Sequence, residues 1–260
     1  MQLAGMALQN GVLVLGPTSW AVAIRTADGS IRTTSDRRPS GGERISTRVP
    51  LLRGPVRLAN MLRVLPTVRM AEPDARLGME SRTMLAGMVF GTIVTTRVRR
   101  RMRSVAVGEL AAGAFSLAMT LASMRTGEVA AYHGAEHKAI GGYEQGIEAV
   151  EATREHPRCG TQLAIPMLVF SSIATQGALA LAPRNPRAAR LAGQLLGVAG
   201  ATELFRAGAK GRGTALAVAA ARAGLKLQTH ATTVEPTRDQ LDVAEAALAA
   251  LLEIEERVAA

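Results

Sequence analysis

This sequence predicts a mainly α-helical, membrane-associated bundle with a small N-terminal β-hairpin element, on three observations. Two apolar stretches, Ser104 to Met124 and Cys159 to Pro183, are long enough to cross a bilayer as helices, for which roughly 20 residues suffice. Apolar sequence of helical character runs on from about Val49 to Gly224. The first fifty residues differ: "GVLVL" is apolar and β-branched, and Asp28-Gly29 separates two weakly alternating runs, a hairpin signal.

In chain order, residues 1–50 read as the β element, 51–230 as the helical, partly transmembrane core, and 231–260 as a C-terminal amphipathic helix. Met1 to Gly16 reads as strand-like sequence rather than as a signal peptide. "DRRPSGGE" (Asp36 to Glu43) is a loop by its Pro, Ser and Gly content. Between Val49 and Val68 apolar residues recur at near-helical spacing, with Pro55 in the first turn and Pro66 expected to end the helix. The final segment begins with Thr237 and Gln240 at capping-box spacing and places Leu241, Ala244, Leu248 and Leu251 on one face.

Two shorter apolar segments, Thr83 to Thr96 and Leu191 to Phe205, fall below an upright span. Arginines punctuate all four: "RVRRRMR" at Arg97 to Arg103, "RNPRAAR" at Arg184 to Arg190 and "RAGAKGRG" from Arg206. Positive-inside reasoning places these loops on the cytoplasmic side and favours re-entrant or buried packing for the short segments. A soluble Ala-rich helical bundle is the alternative. The formal charge is +10, which suits nucleic acid or an anionic membrane surface. Aromatics are only 3%, too few for a base-stacking surface, so nucleic acid is not expected as a partner and membrane lipids are. Cys159 is the single cysteine, which excludes an internal disulfide and suggests a reducing compartment or a place near a metal.

The chemistry concentrates in "AAYHGAEHKAIGGYEQG", where His133, Glu136 and His137 stand in the order H-x-x-E-H. On a helix, positions i and i+4 point the same way and i+3 lies beside them. Both imidazoles can then hold one divalent ion while Glu136 reaches a metal-bound water, the inverse of H-E-x-x-H. Zinc is the ion that nitrogen and sulfur donors favour, and a catalytic zinc needs a third protein ligand. Candidates are His156 and Cys159 of "HPRCG", and Glu203, an acid inside an apolar helix. Lys138, Tyr143, Glu144 and Arg158 lie close by in sequence. Each has a plainer reading. The histidines suit a polar helix face, His156 to Cys159 suit a structural turn, and Glu203 can pair with Arg206. Glu109 reads as solvated and His230 as structural.

Taken together, "YHGAEHK", "YE", "HPRCGT" and "GLKLQTHATTVEPTRDQLDVAEAAL" resemble the YqhQ-like bacterial family, domain of unknown function 1385. "AGMALQNGVLVLGPTSWAVAIRTADGSI" and "VPLLRGPVRL" extend the likeness to nearly the whole chain. The resemblance implies a multi-pass protein of the bacterial cytoplasmic membrane, sometimes labelled a metal-dependent enzyme. Its polar residues map to His133, Glu136, His137, Lys138, Tyr143, Glu144, His156, Arg158, Cys159 and Glu203. The chain departs from it at Asn10 to Leu15, where relatives carry an "EGVMMR"-like string.

The leading expectation is a membrane metalloprotein, with His133 and His137 as ligands and Glu136 as general base. Lys138 assists, and Glu203 or the His156/Cys159 pair completes the shell. Metal-assisted hydrolysis is the reaction class that fits, with the substrate and the oligomeric state left open. The rival is a non-enzymatic membrane factor holding a structural metal or a hydrogen-bonded His/Glu/Cys knot. A soluble helical nucleic-acid binder comes third.

Overall fold

The computed structural model describes every residue except Gln2, 40–48, 81, 126–127, 210–213 and 260. The loop expected from Asp36 to Glu43 and the basic run after Arg206 lie partly outside the described residues.

Four strands form an antiparallel meander in chain order: β1 (Ala4–Ala7), β2 (Gly11–Leu15), β3 (Ser19–Arg25) and β4 (Ile31–Arg37). The expected hairpin is its β3–β4 half. Gly29 turns that corner at φ +87°, open to glycine at little cost, while Thr26 N–H donates to Ser30 O at 3.0 Å. Side chains alternate across β2 and β3. Val12, Val14, Ala21 and Ala23 pack under two helices of one cluster, and Leu13, Leu15, Trp20, Val22 and Ile24 belong to a second.

The described helices are α1 (Arg53–Ala71), α2 (Arg82–Arg101), α3 (Val105–Arg125), α4 (Val129–Gln145), α5 (Ala164–Leu181), α6 (Pro186–Ala209), α7 (Ala215–Leu227) and α8 (Arg238–Ala259). Helices α4 and α8 cover the first face of the sheet, and Val64 and Val68 of α1 cover the second. Pro66 does not end α1; it lies inside the helix. Pro66 and Leu62 are on the exposed side, so the ring and the carbonyl it leaves without a donor do not disturb the core face, where Val64 and Val68 anchor the helix. At α8 the capping box forms as expected, with Thr237 N–H on Gln240 Oε1 (3.0 Å) and Gln240 N–H on Thr237 Oγ1 (3.3 Å). Leu241, Ala244, Leu248 and Leu251 are buried against the sheet cluster.

Helices α2 and α3 form one hairpin, and α5 and α6 another. The α5–α6 seam is made by small residues. A Cβ on Gly193 would stand 2.6 Å from Thr175 Cα, and one on Gly197 2.8 Å from Ser171 Cα. Gly193-x-x-x-Gly197 therefore lies against Ser171-x-x-x-Thr175, the small-residue packing that lets helices meet in a lipid environment. Two helical segments, Val105–Ala122 and Gly160–Leu181, are long and apolar enough to cross a membrane. Their neighbours α2 and α6 are 20 and 24 residues long, so the short apolar segments sit inside longer helices. Glu109, expected to be solvated, is instead buried at 5% exposure between two arginines. A carboxylate in so apolar a helix is retained by pairing, not by water.

Gly197→Leu should force α5 and α6 apart and destabilise the protein by about 1–3 kcal/mol, read as a lower thermal midpoint. Gly91→Ala, where no heavy atom would lie within 4 Å of the new methyl group, should leave it unchanged or slightly raised.

Candidate metal centre

Helix α4 is buried along almost its whole length, from Ala130 and from Tyr132 to Gly142. Its small residues make that possible. A Cβ on Gly134 would stand 2.3 Å from Val234 O, and one on Gly142 2.9 Å from Ala149 Cα. The segment after α7 therefore lies along α4, with Val234 N–H donating to Ala130 O at 2.9 Å. Gly146 closes the helix in the left-handed conformation at φ +67°.

Four side chains of α4 that carry chemistry thus lose water. His133 and His137 lie one turn apart, their ring centroids separated by 4.3 Å. Each ring is anchored through Nδ1 to a backbone carbonyl from another part of the chain: His133 to Thr232 O at 2.9 Å, His137 to Arg154 O at 2.6 Å. A carbonyl only accepts, so both Nδ1 atoms carry the proton and both Nε2 atoms are unprotonated. Metal-binding histidines are oriented in this way. Burial lowers both histidine pKa values, that of His137 to about 3 with the adjacent His133 as a further cause, so both rings are neutral at pH 7.

Cys159 supplies the third donor. Its Sγ lies 3.3 Å from His133 Nε2 and accepts from Thr161 Oγ1 at 3.2 Å. Ligand atoms of His133, His137 and Cys159 all fall within 4.8 Å of one another, and this group can hold a metal ion. Around a tetrahedral zinc such atoms stand roughly 3.3–3.7 Å apart, so the three donors need only a small closure. Burial pushes the Cys159 thiol up to about 11.

Glu136 stands beside this group. Burial alone raises its pKa to about 8, and no hydrogen-bond donor among the described residues reaches its carboxylate. It presses against β1, where a Cβ on Gly5 would come within 2.3 Å of Glu136 Oε1. Gly5 was invisible to sequence reasoning because its contribution is empty space.

The remaining candidates do not join the three donors, although the His156 ring lies close by, its centroid 5.7 Å from that of His137. His156 Nε2 donates to Glu144 Oε2 (3.1 Å) and His156 Nδ1 accepts from Arg158 N–H (3.3 Å), so both of its ring nitrogens are taken. Arg158 also bonds Glu144. Glu203 is held by Arg53 Nη1 (3.0 Å) and Leu51 N–H (3.2 Å), not by Arg206 and not by the histidines. Lys138 donates to Glu235 (2.8 Å), pinning α4 to the segment before α8. Tyr143 is exposed at 41% and His230 is exposed.

One further residue organises the centre. Gln228 is fully buried and clamps both sides of the His156 peptide: its Oε1 accepts from His156 N–H (2.8 Å) and its Nε2 donates to His156 O (3.2 Å). It opens a π-helical turn, Gln228–Thr232, whose last residue supplies the carbonyl for His133. Such turns recur at functional sites. Nothing in "LQTHATT" distinguishes this glutamine beforehand.

Comparison with protein families matches residues 120–254 to DUF1385, a protein of unknown function. The match covers just over half of the chain and takes in α4, Cys159, the π-turn and most of α8. No curated protein and no solved structure matches.

Two outcomes follow. Gln228→Leu should free the His156–Cys159 loop and weaken Co²⁺ binding at least tenfold, with loss of the thiolate-to-cobalt band in the near ultraviolet. Glu136→Gln should raise the melting temperature of the metal-free protein increasingly between pH 5 and pH 8. The wild-type carboxyl has its pKa raised from 4.5 to about 8, so its burial favours the folded state less and less as pH rises across that window, whereas the amide does not titrate.

Proposed function

The chain belongs to the DUF1385 family, and we propose from its geometry that it is a membrane-embedded, metal-dependent hydrolase with zinc as the ion. The observation that carries this reading is the pair of Nδ1 anchors on His133 and His137, which leaves both Nε2 atoms for a cation in a group whose ligand atoms, with the Cys159 sulfur, lie within 4.8 Å of one another. Three donors match a catalytic zinc, which keeps one position open; structural zinc sites use four. Zinc at such a site acts as a Lewis acid on a carbonyl or phosphoryl oxygen and makes water a better nucleophile.

The protein's own residues supply the remainder. Glu136 can take the proton of the attacking water on its carboxylate and return it to the leaving group. The sheet and α8 shut water away from α4, so few competing donors surround that carboxylate. Lys138 and Glu203 are engaged elsewhere and have no part in the transfer. His156, with Glu144 and Arg158, positions the loop that bears Cys159. Embedding in a bilayer is supported by the two apolar segments and by exposed side chains such as Val89, Ile173 and Leu191.

A second reading, a structural metal knot, is favoured by the depth of the donors, His133 and His137 being 8% and 2% exposed. Glu136 separates the two. Glu136→Gln should keep one metal per chain and lose 10²-fold or more in turnover of acyl or phosphoryl esters presented in mixed micelles, whereas His133→Ala should lose the metal as well. An active Glu136→Gln protein would reject the hydrolase. The wild-type protein should resist carbonate extraction of membranes; release into the soluble fraction would reject the embedding.

A further inference from the structure

Most of the protein's net charge sits at the end of the helical bundle away from the candidate metal centre. Residues 97–109 and 184–190 contain eight arginines and one glutamate, a formal +7 of the chain's +10. They meet because α2 and α3 turn between residues 101 and 105 while α5 and α6 turn between 181 and 186, at the same end. Cys159 and the rest of the centre precede α5 at the opposite end. The 18 residues of α5 place about 27 Å between the two.

Glu109 ties the two tips together. Its carboxylate accepts from Arg99 Nε at 2.9 Å on the first hairpin and from Arg190 Nε at 3.1 Å on the second. Those two arginines leave no acid for the others. Arg97, Arg100, Arg101, Arg103, Arg184 and Arg187 are exposed and form no ion pair among the described residues. Six like charges gathered without a counter-charge repel one another and call for an external anion.

Their surroundings say which anion. Met102, Val105, Val107 and Leu181 stand exposed among the arginines, Leu181 at 89%, and the apolar flanks of the helices continue directly below. No aromatic residue lies in either tip to stack on a base. An apolar wall capped by guanidinium groups matches a lipid leaflet, with phosphates at the level of the arginines and acyl chains along the helices.

We propose that the two hairpin tips, joined through Glu109, form one platform that binds the phosphate headgroups of anionic phospholipids. This rests on the membrane reading above, and the platform fixes how deep the bundle sits and keeps the metal centre a full helix length from that leaflet surface.

The test uses the full chain in a neutral maltoside detergent. Dioleoylphosphatidylglycerol should raise the thermal midpoint by several degrees over the same mole fraction of dioleoylphosphatidylcholine, and about 0.5 M NaCl should erase most of the gain. Combined Arg100→Gln, Arg101→Gln, Arg103→Gln, Arg184→Gln and Arg187→Gln should keep the phosphatidylcholine midpoint and the metal content while losing the gain. Should that variant fail to fold, Arg100→Gln and Arg187→Gln taken singly should each remove part of it. Equal midpoints in the two lipids, a gain that survives the substitutions, or a larger gain from a short RNA would overturn the platform. Carbonate resistance with no phosphatidylglycerol gain sinks the platform alone. Carbonate release sinks the embedding on which it rests.

Discussion

Two hydrogen bonds determine what the centre of this protein can be: the Nδ1–H of His133 on Thr232 O and the Nδ1–H of His137 on Arg154 O. An imidazole carries one mobile proton when neutral, and where that proton sits decides which nitrogen can bind a cation. By occupying Nδ1 on both rings, the backbone of two distant segments leaves Nε2 as the nitrogen of each ring that can bind a cation. The burial of α4 follows from the same demand. Carbonyls from residues 154 and 232 can reach the rings only if those segments lie against the helix, and Gly134 and Gly142 are what let them do so. A donor pair, a dry environment and a compact helix surface are three aspects of one packing solution.

The same packing explains why the acid was easier to find than its setting. The i, i+3, i+4 spacing of His133, Glu136 and His137 was legible because a helix turns spacing into proximity. Cys159 was legible as a metal-competent residue beside His156, although which of the two joins the histidines was decided by Glu144, whose carboxylate takes His156 Nε2. Gly5, Gln228 and Thr232 left no trace, since one contributes room, one a side-chain amide on a peptide and one a carbonyl. Glu203 misled because an acid in an apolar helix invites a functional reading, while its partner Arg53 lies 150 residues earlier. Glu109 misled in the opposite sense, its two arginines coming from both hairpin tips.

The fold was legible to a similar depth. The β character of the N-terminus, the Asp28-Gly29 corner, the capped final helix and the two long apolar segments all followed from local chemistry. The number of strands did not, because β1 is only four residues long. Nor did Gly193 and Gly197 announce themselves. A glycine in a helix reads as a weakness until a partner with a small side chain is known to lie across from it.

The clamp of Gln228 on the His156 peptide carries a consequence for how the molecule comes into being. The three donors span residues 133 to 159, yet the groups that orient them extend to residue 232, and the segment that encloses α4 runs on into α8. A nascent chain that has left the ribosome only as far as α6 holds every ligand atom and the Arg154 carbonyl that orients His137, but lacks the Thr232 carbonyl that orients His133 and the Gln228 clamp on the His156 peptide. The candidate centre is thereby completed only when translation is nearly finished, and a chain truncated before the π-turn would keep the three donors without the His133 anchor.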